Sequence, residues 1–424
     1  MKLTHNSQLL ISFFIKKNLH INSNLKNIGV TQNIIFKLYN DILKSYKFLN
    51  NLKKIYPNTF YTLNISKINN INQIPKPKNF NSNSFPKEVI KHIDSSSMFE
   101  IIYKFTLFNR DIKLIFIVED KNIEKKISAF DRYVDNIVMW LYILNEYAST
   151  KCSKKIIVYF YFTLLTKNLP NSNVDILDQN NINTAFTTTC PIDSEIVIFR
   201  KEEWFKVFLH ESFHNFALDF SDMNNDYCHE LILNLFPVQS EVNLYEAYTE
   251  FWAEIINALF CSFYSIKDKN NFIDFVAYSN TYINLERSYS LFQLVKVLEF
   301  MGLTYKDLYS KTNKSKLLRN NLYKENTNVL SYYVIKSILL YNYQSFLVWC
   351  NNNNLSLLQF KKTINNQKLL CEFIYDNYKT KKYLNDLLTF EDYYFELNKN
   401  KNSKNSKNII YLLNNLRMSI CELG

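Results

Sequence analysis

The sequence has almost no glycine: Gly29, Gly302 and Gly424 are the three in a chain of 424 residues. Phosphate-binding loops and dinucleotide-binding folds need clustered glycines, which let backbone N–H groups approach a phosphate. The strained turn that carries the nucleophile of many serine hydrolases also needs flanking glycines. The scarcity of glycine therefore argues against three large classes of enzyme.

Cysteines are few and none form a C-x-x-C pair. The seven are scattered along the chain and odd in number. This pattern argues against a disulfide framework and against a cysteine-type zinc site. It indicates a reducing, cytoplasmic compartment.

Long apolar runs are also missing, so we expect no membrane span and no membrane partner. The short apolar run Leu9–Ile15 lacks the small-residue cleavage site of a signal peptide. The net charge of +11 would suit a nucleic-acid partner. Most lysines, however, lie among asparagines in polar stretches that are typical of solvated surface, so nucleic-acid binding is only an alternative here.

The order of predicted elements indicates an α+β fold. We expect a helical N-terminal region at 1–95, a mixed part with a small sheet at 96–220, a largely helical part at 221–397, and a polar linker with a terminal helix at 398–424. An active-site cleft is expected between the mixed half and the helical half.

Hydrophobic periodicity predicts the individual elements. Strands are expected in a hairpin at 98–119 that turns at Asn109-Arg110-Asp111, and at 155–165, 183–189 and 195–200. Helices are expected at 33–52, 122–147, 201–218, 244–260, 290–301, 328–349, 355–362, 365–377 and 408–419. Linkers are expected at 69–86 and 398–408.

The chemistry is indicated by His210-Glu211-Ser212-Phe213-His214 on a predicted helix. Histidines four residues apart lie on one helix face, one turn from each other, so two nitrogens can reach one metal ion. Glu211 lies close to that ion without ligating it, and there it can take a proton from a water molecule. We therefore predict one zinc ion per chain, held in part by His210 and His214.

A catalytic zinc usually has three protein ligands and an open position. The predicted helix 244–260 is strongly apolar, but Glu246, Glu250 and Glu254 form a polar row along it. Buried carboxylates need a cation or a hydrogen-bond donor. The third ligand is therefore expected in this row.

H-E-x-x-H followed on a later helix by E-x-x-x-[D/E] resembles the gluzincins, the thermolysin-like branch of zincin metallopeptidases. The resemblance implies that Glu246 ligates zinc and that Glu250 braces a ligating histidine. A second register, similar to lethal-factor-type proteases, makes Glu250 the ligand and Glu254 the brace. The first register is closer to carboxypeptidases whose helix has the pattern E-S-x-S-x-F-W.

The resemblance extends to both sides of the motif. Asn183-Thr184-Ala185-Phe186 is similar to the N-A-F edge strand with which gluzincins bind a substrate backbone, which implies substrate contacts at Asn183 and Ala185. Tyr332 and Tyr333 are similar to tyrosines that stabilise the oxyanion in some helical gluzincins; two core tyrosines are the other interpretation. The whole segment 183–260, including residues 200–206 before the motif, also resembles uncharacterised H-E-x-x-H proteins of large DNA viruses, which would imply host cytoplasm or a virion as the location.

These observations predict a zinc metallopeptidase that hydrolyses peptide bonds, with Glu211 as the general base. The expected partner is a peptide or protein substrate. A zinc-bound structural or adaptor protein without activity is one alternative, and a basic nucleic-acid-binding protein is the other.

Overall fold

The computed structural model describes residues 1–19, 21, 28–56, 60–78, 85–400 and 406–424. In these ranges the helices are α1 (His5–Lys16), α2 (Ile28–Ile55), α3 (Lys87–Ser96), α4 (Ile127–Tyr147), α5 (Gln179–Ile182), α6 (Trp204–Asn215), α7 (Asp226–Leu235), α8 (Leu244–Ser265), α9 (Phe272–Phe300), α10 (Tyr305–Tyr309), α11 (Asn313–Leu322), α12 (Lys336–Tyr341), α13 (Tyr343–Asn353), α14 (Ile364–Asn377), α15 (Lys381–Lys399) and α16 (Ser406–Asn414). A π-helical segment, Leu330–Ile335, leads into α12.

The strands form one mixed sheet, which confirms the α+β class. They are β1 (Thr62–Lys67), β2 (Phe99–Leu107), β3 (Arg110–Val118), β4 (Lys155–Phe162), β5 (Ala185–Thr187) and β6 (Asp193–Ile198). Their order is β1-β2-β3-β4-β6-β5. The pairs β3–β4 and β4–β6 are parallel, and the other neighbours are antiparallel. The short strand β5 therefore lies at one edge of the sheet.

The predicted hairpin is present, but its turn lies one residue earlier than expected. Phe108 and Asn109 form the turn with φ of 53° and 57°, while Arg110 and Asp111 already belong to β3. Two consecutive left-handed residues match the twist of a tight two-residue hairpin. Asn109 tolerates this backbone, but it occupies the second position of the turn, whereas the prediction placed it in the first.

Alternating side chains of the central strands enter two different hydrophobic clusters. Ile115 and Ile117 of β3 pack against buried residues of α3, in a small cluster on one face of the sheet. Leu114 and Phe116 belong to the main core, which continues through α4, α6 and the later helices. Covering on both faces explains why β3 and β4 are apolar at nearly every position.

The motif helix α6 lies between the sheet and the helical half. It contacts β5 and β6 on one side and α8 on the other, and α8 packs in turn against α9. All twelve residues of α6 are buried. Polar side chains on this helix therefore need partners from neighbouring elements.

Several predicted elements differ from the structure. The N-terminal region, expected to be helical, also contains β1, and the helix α15 was not predicted. The expected helix at 355–362 is irregular, because the Phe360 N–H bonds the Leu218 carbonyl instead of an intrahelical partner. The last predicted helix ends at Asn414 rather than at 419. Parts of both predicted linkers, 79–84 and 401–405, lie outside the described residues.

One disulfide joins Cys152 to Cys190, and the five remaining cysteines are buried and free. The pairing follows from the sheet: Lys155 of β4 lies opposite Asp193 of β6, so the residues three positions before each also lie side by side. Sequence spacing carries no signal of this register, and the bond was not predicted. It is at odds with the expected reducing compartment.

None of the described helices is both long enough and apolar enough to cross a membrane.

Candidate metal centre

Three side chains on α6 point to the same side of the helix because they are four residues apart. Lys206, His210 and His214 form this stripe, and all three are buried. A second row, on α8, faces them and consists of Glu246, Glu250 and Glu254. The two helices thus place a basic row against an acidic row within the core.

His210, His214 and Glu246 converge on one point. His210 Nε2 lies 3.1 Å from His214 Nε2 and 3.1 Å from Glu246 Oε2. His214 Nε2 lies 3.4 Å from the same oxygen. Ligands of a tetrahedral zinc with bonds of about 2.0–2.2 Å are about 3.3–3.6 Å apart. The triangle of donor atoms is therefore close to the size and chemistry of three zinc ligands.

The other ring nitrogen of each histidine is held by a carboxylate. Glu250 Oε2 lies 2.8 Å from His210 Nδ1, and Asp219 Oδ2 lies 2.5 Å from His214 Nδ1. Such contacts orient the rings and leave Nε2 for a metal ion. Glu250 thus lies against His210 Nδ1, and Glu254 lies away from both histidines, with Lys336 Nζ at 2.7 Å from Oε1.

The charges of the centre favour a cation. Burial disfavours the charged form of His210, but the carboxylates of Glu246 and Glu250 outweigh it and raise the pKa of this imidazole. Burial also disfavours the charged form of His214, but the carboxylate of Asp219 and then that of Glu246 outweigh it and raise the pKa of this imidazole well above its usual value. Burial also disfavours ionised Glu246, yet the two histidines hold its pKa below the usual value. Protons and a metal ion would therefore compete for the same imidazole nitrogens.

Glu211 and His210 line a small pocket with a volume of about 40 Å³. Burial raises the pKa of its carboxyl to about 6, against the opposing charges of His210 and His214. Among the described residues, none hydrogen-bonds the Glu211 side chain. The carboxylate is thus next to the candidate centre and available to a bound molecule.

The two tyrosines of the predicted oxyanion site are separated by the structure. Tyr332 donates a hydrogen bond of 2.9 Å to Glu246 Oε2 and lines the pocket. Tyr333 is buried elsewhere, and its hydroxyl donates to the Leu416 carbonyl at 2.7 Å. Neighbouring residues of a helical segment point in different directions, so only Tyr332 reaches the site. The expectation for Tyr333 is wrong.

The predicted substrate-binding segment lies at the same pocket. Asn183 and Ala185 line it, and Ala185 begins the edge strand β5. The Asn183 side-chain oxygen accepts a hydrogen bond from Thr327, and its carbonyl accepts one from Arg200. Both residues are thus held in place beside the motif helix.

The sequence analysis missed Lys206, Asp219, Lys167 and Met418. Lys206 Nζ lies 2.6 Å from Glu250 Oε1, and its place one turn before His210 was the available signal. Asp219 follows a turn in which Ala217 has φ of 54°. Helical periodicity does not predict that the chain turns back here and brings Asp219 to His214. Lys167 and Met418 reach the pocket from distant parts of the chain.

Comparison of the chain with known protein families, curated proteins and solved structures gave no match.

Proposed function

We propose that this chain is a zinc-dependent metallopeptidase of gluzincin type, with a zincin-like arrangement and its active-site cleft over α6. The observation that carries the proposal is the triangle of His210 Nε2, His214 Nε2 and Glu246 Oε2, with separations of 3.1, 3.1 and 3.4 Å. Support comes from the bracing carboxylates and from Glu211 in the adjoining pocket. A structural site has no need of Glu211, which favours an enzyme over an adaptor.

The chain's own groups then have distinct roles. Zinc held by the triangle would polarise a peptide carbonyl and make a water molecule more acidic. Glu211 takes the proton that the attacking water loses and passes it to the leaving amine nitrogen. Tyr332 lines the same pocket, and its hydroxyl would turn its one proton from Glu246 to the developing oxyanion.

The edge strand β5 orients the substrate. Strands at a sheet edge can pair with an extended peptide through backbone hydrogen bonds. Ala185 lies in this strand and borders the pocket that contains Glu211. A peptide added beside β5 would therefore pass over the candidate centre.

Metal content and hydrolysis of a peptide library test the proposal together. We expect one zinc per chain, and we expect His210→Ala and His214→Ala to lose it. Glu211→Gln should keep the zinc and lower hydrolysis by about a hundred- to ten-thousandfold, because glutamine has a similar shape but cannot accept the proton.

A matched control is His92→Ala, since His92 pairs with Glu119 outside the site and should keep both zinc and activity. Unchanged metal content in both histidine variants of the triangle would end the zinc proposal. Full zinc with no cleavage of any peptide by the parent protein would favour the inactive adaptor.

A further inference from the structure

Two cysteines of the helical half lie against each other where α7 packs on α14. The thiols of Cys228 and Cys371 are hydrogen-bonded, and the two residues are 1% and 3% exposed. The Cys228 thiol also lies 3.9 Å from the Gln367 carbonyl oxygen, and Gln367 is about one helical turn before Cys371 on α14. The two sulfur atoms are therefore neighbours, although they are far apart in the sequence.

A groove with a volume of about 370 Å³ opens at the same contact and reaches Cys371. Tyr227 of α7 and Tyr375 of α14 line it and are 40% and 57% exposed, so the groove is open to solvent. Its volume is within the range of small-molecule sites. A small molecule can therefore reach the Cys371 sulfur, whereas Cys228 lies behind it and does not line the groove.

Pairing makes these thiols more reactive than an isolated buried thiol. The hydrogen bond from Cys371 lowers the pKa of the Cys228 thiol, although burial opposes this. Burial instead raises the pKa of Cys350 well above its usual value, and the partners of that thiol are Asn354 and Trp252 rather than a second cysteine. The thiolate is the form of cysteine that attacks disulfides. A proton that moves along the hydrogen bond between Cys371 and Cys228 brings the thiolate to Cys371, at the groove.

The chain already contains one oxidised pair. Cys152 and Cys190 form a disulfide, which is typical of proteins exposed to disulfide oxidants. A further pair, Cys261 and Cys421, is hydrogen-bonded within the core, where each residue is 1% exposed and neither lines the groove. Contact between two thiols and access from solvent thus coincide at the contact of α7 with α14.

We propose that Cys228 and Cys371 are a redox-active pair, which forms a second disulfide by exchange with a low-molecular-weight disulfide that enters the groove. The inference goes beyond the proposed peptidase function and does not depend on it. The new bond would join α7 to α14 without changing a residue of the candidate metal centre.

The exchange takes place in two steps. The Cys371 thiolate attacks one sulfur of the small disulfide, whose S–S bond breaks and releases a first small thiolate. The Cys228 sulfur then loses its proton and attacks the Cys371 sulfur, which breaks the mixed disulfide and releases a second small thiolate. The two cysteine thiols are oxidised and the small disulfide is reduced. The two released thiolates take up the two protons that the cysteines lost.

The first experiment places the purified full-length protein in buffers with increasing ratios of glutathione disulfide to glutathione. The samples are quenched in acid, free thiols are alkylated in denaturant, and the peptides are identified by mass spectrometry. We expect a peptide pair linked through Cys228 and Cys371 to replace the alkylated peptides as the ratio rises, while Cys261 and Cys421 stay alkylated. Dithiothreitol should reverse the link. Alkylated Cys228 and Cys371 at every ratio would overturn the proposal, and so would equal oxidation of the pair in the core.

The second experiment tests the groove as the route of exchange. Cys228→Ser removes the thiol that completes the reaction, so Cys371 should keep glutathione as a mixed disulfide. Cys371→Ser should take up little glutathione, because the remaining thiol does not line the groove. The mass of the intact protein measures the adduct.

The matched control is Cys350→Ser, which removes a buried cysteine outside the pair. It should form the bond between Cys228 and Cys371 as the parent does. A Cys228→Ser variant that takes up no glutathione, or an equal adduct in Cys371→Ser, would overturn the proposal.

Discussion

At the scale of single residues, the candidate centre depends on which carboxylate touches which ring nitrogen. Glu246 contacts Nε2 of both histidines, whereas Glu250 contacts Nδ1 of His210. The two glutamates therefore make different contacts with the histidines although they are one helical turn apart. Of the two registers left open by the sequence, this geometry favours the first.

We therefore expect Glu246→Gln to lower zinc affinity more than Glu250→Gln. The first change removes a ligand, while the second loosens His210 and should cost about ten- to a hundredfold in affinity. The measurement is a competitive chelator titration of the purified variants. Glu254→Gln is the matched control, a buried carboxylate on the same helix that contacts Lys336 and no histidine. If Glu250→Gln were the most damaging and Glu246→Gln bound zinc normally, the register would be wrong by one turn.

At the scale of elements, Tyr332 and Tyr333 both lie in the π-helical segment Leu330–Ile335. Its wider turns are uncommon and often found at functional sites. The segment directs Tyr332 toward Glu246 and buries Tyr333 against the C-terminal chain. Position in the element, rather than residue type, separates their roles.

Tyr332→Phe should lower kcat by about a hundredfold, the effect of losing one oxyanion donor, with zinc retained. Tyr333→Phe should leave kcat unchanged and lower the free energy of unfolding by about 1 kcal/mol, because one buried hydrogen bond is lost. Steady-state kinetics, zinc titration and urea unfolding of both variants check this. A large loss of zinc affinity in Tyr332→Phe would instead make Tyr332 a positioning residue for Glu246.

At the scale of the whole molecule, the C-terminal chain joins the two halves under the candidate site. The buried Glu203 carboxylate, at the start of α6, accepts backbone hydrogen bonds from Met418 and Ser419. Glu286 of α9 does the same for Ile420 and Cys421. The segment that carries Met418 to the pocket is thus held by both halves of the fold.

Glu203→Gln should lower the free energy of unfolding by about 3–5 kcal/mol, because it leaves the buried Lys167 without its ionised partner. Burial disfavours the Glu203 carboxylate, but Lys167 and other cations lower its pKa to about 2, so it is ionised at neutral pH. The comparison is Asp193→Asn, which removes an exposed ion pair with Lys155 and should cost less than about 1 kcal/mol. Chemical denaturation of both variants at neutral pH measures the difference. Equal small losses would mean that the buried pair does not anchor the segment.

The sequence determined what depends on local spacing. His210 and His214 share a helix face because they are four residues apart, and the acidic row of α8 follows from the same periodicity. The strands β3, β4 and β6 were predictable for a similar reason, since each is an apolar run of strand length.

Only the tertiary structure decided which of these groups meet. Glu246 and Glu250 are equivalent along α8, and the packing of α8 on α6 alone places one at Nε2 and the other at Nδ1. Asp219, Lys167 and Met418 reach the site, and Cys152 meets Cys190, through chain reversals and strand register. The irregular 355–362 segment was mistaken for a helix because its apolar spacing is local, while the partner of the Phe360 N–H is distant. Contacts between distant residues depend on the packing of the whole chain, and the spacing of residues within one segment does not contain that information.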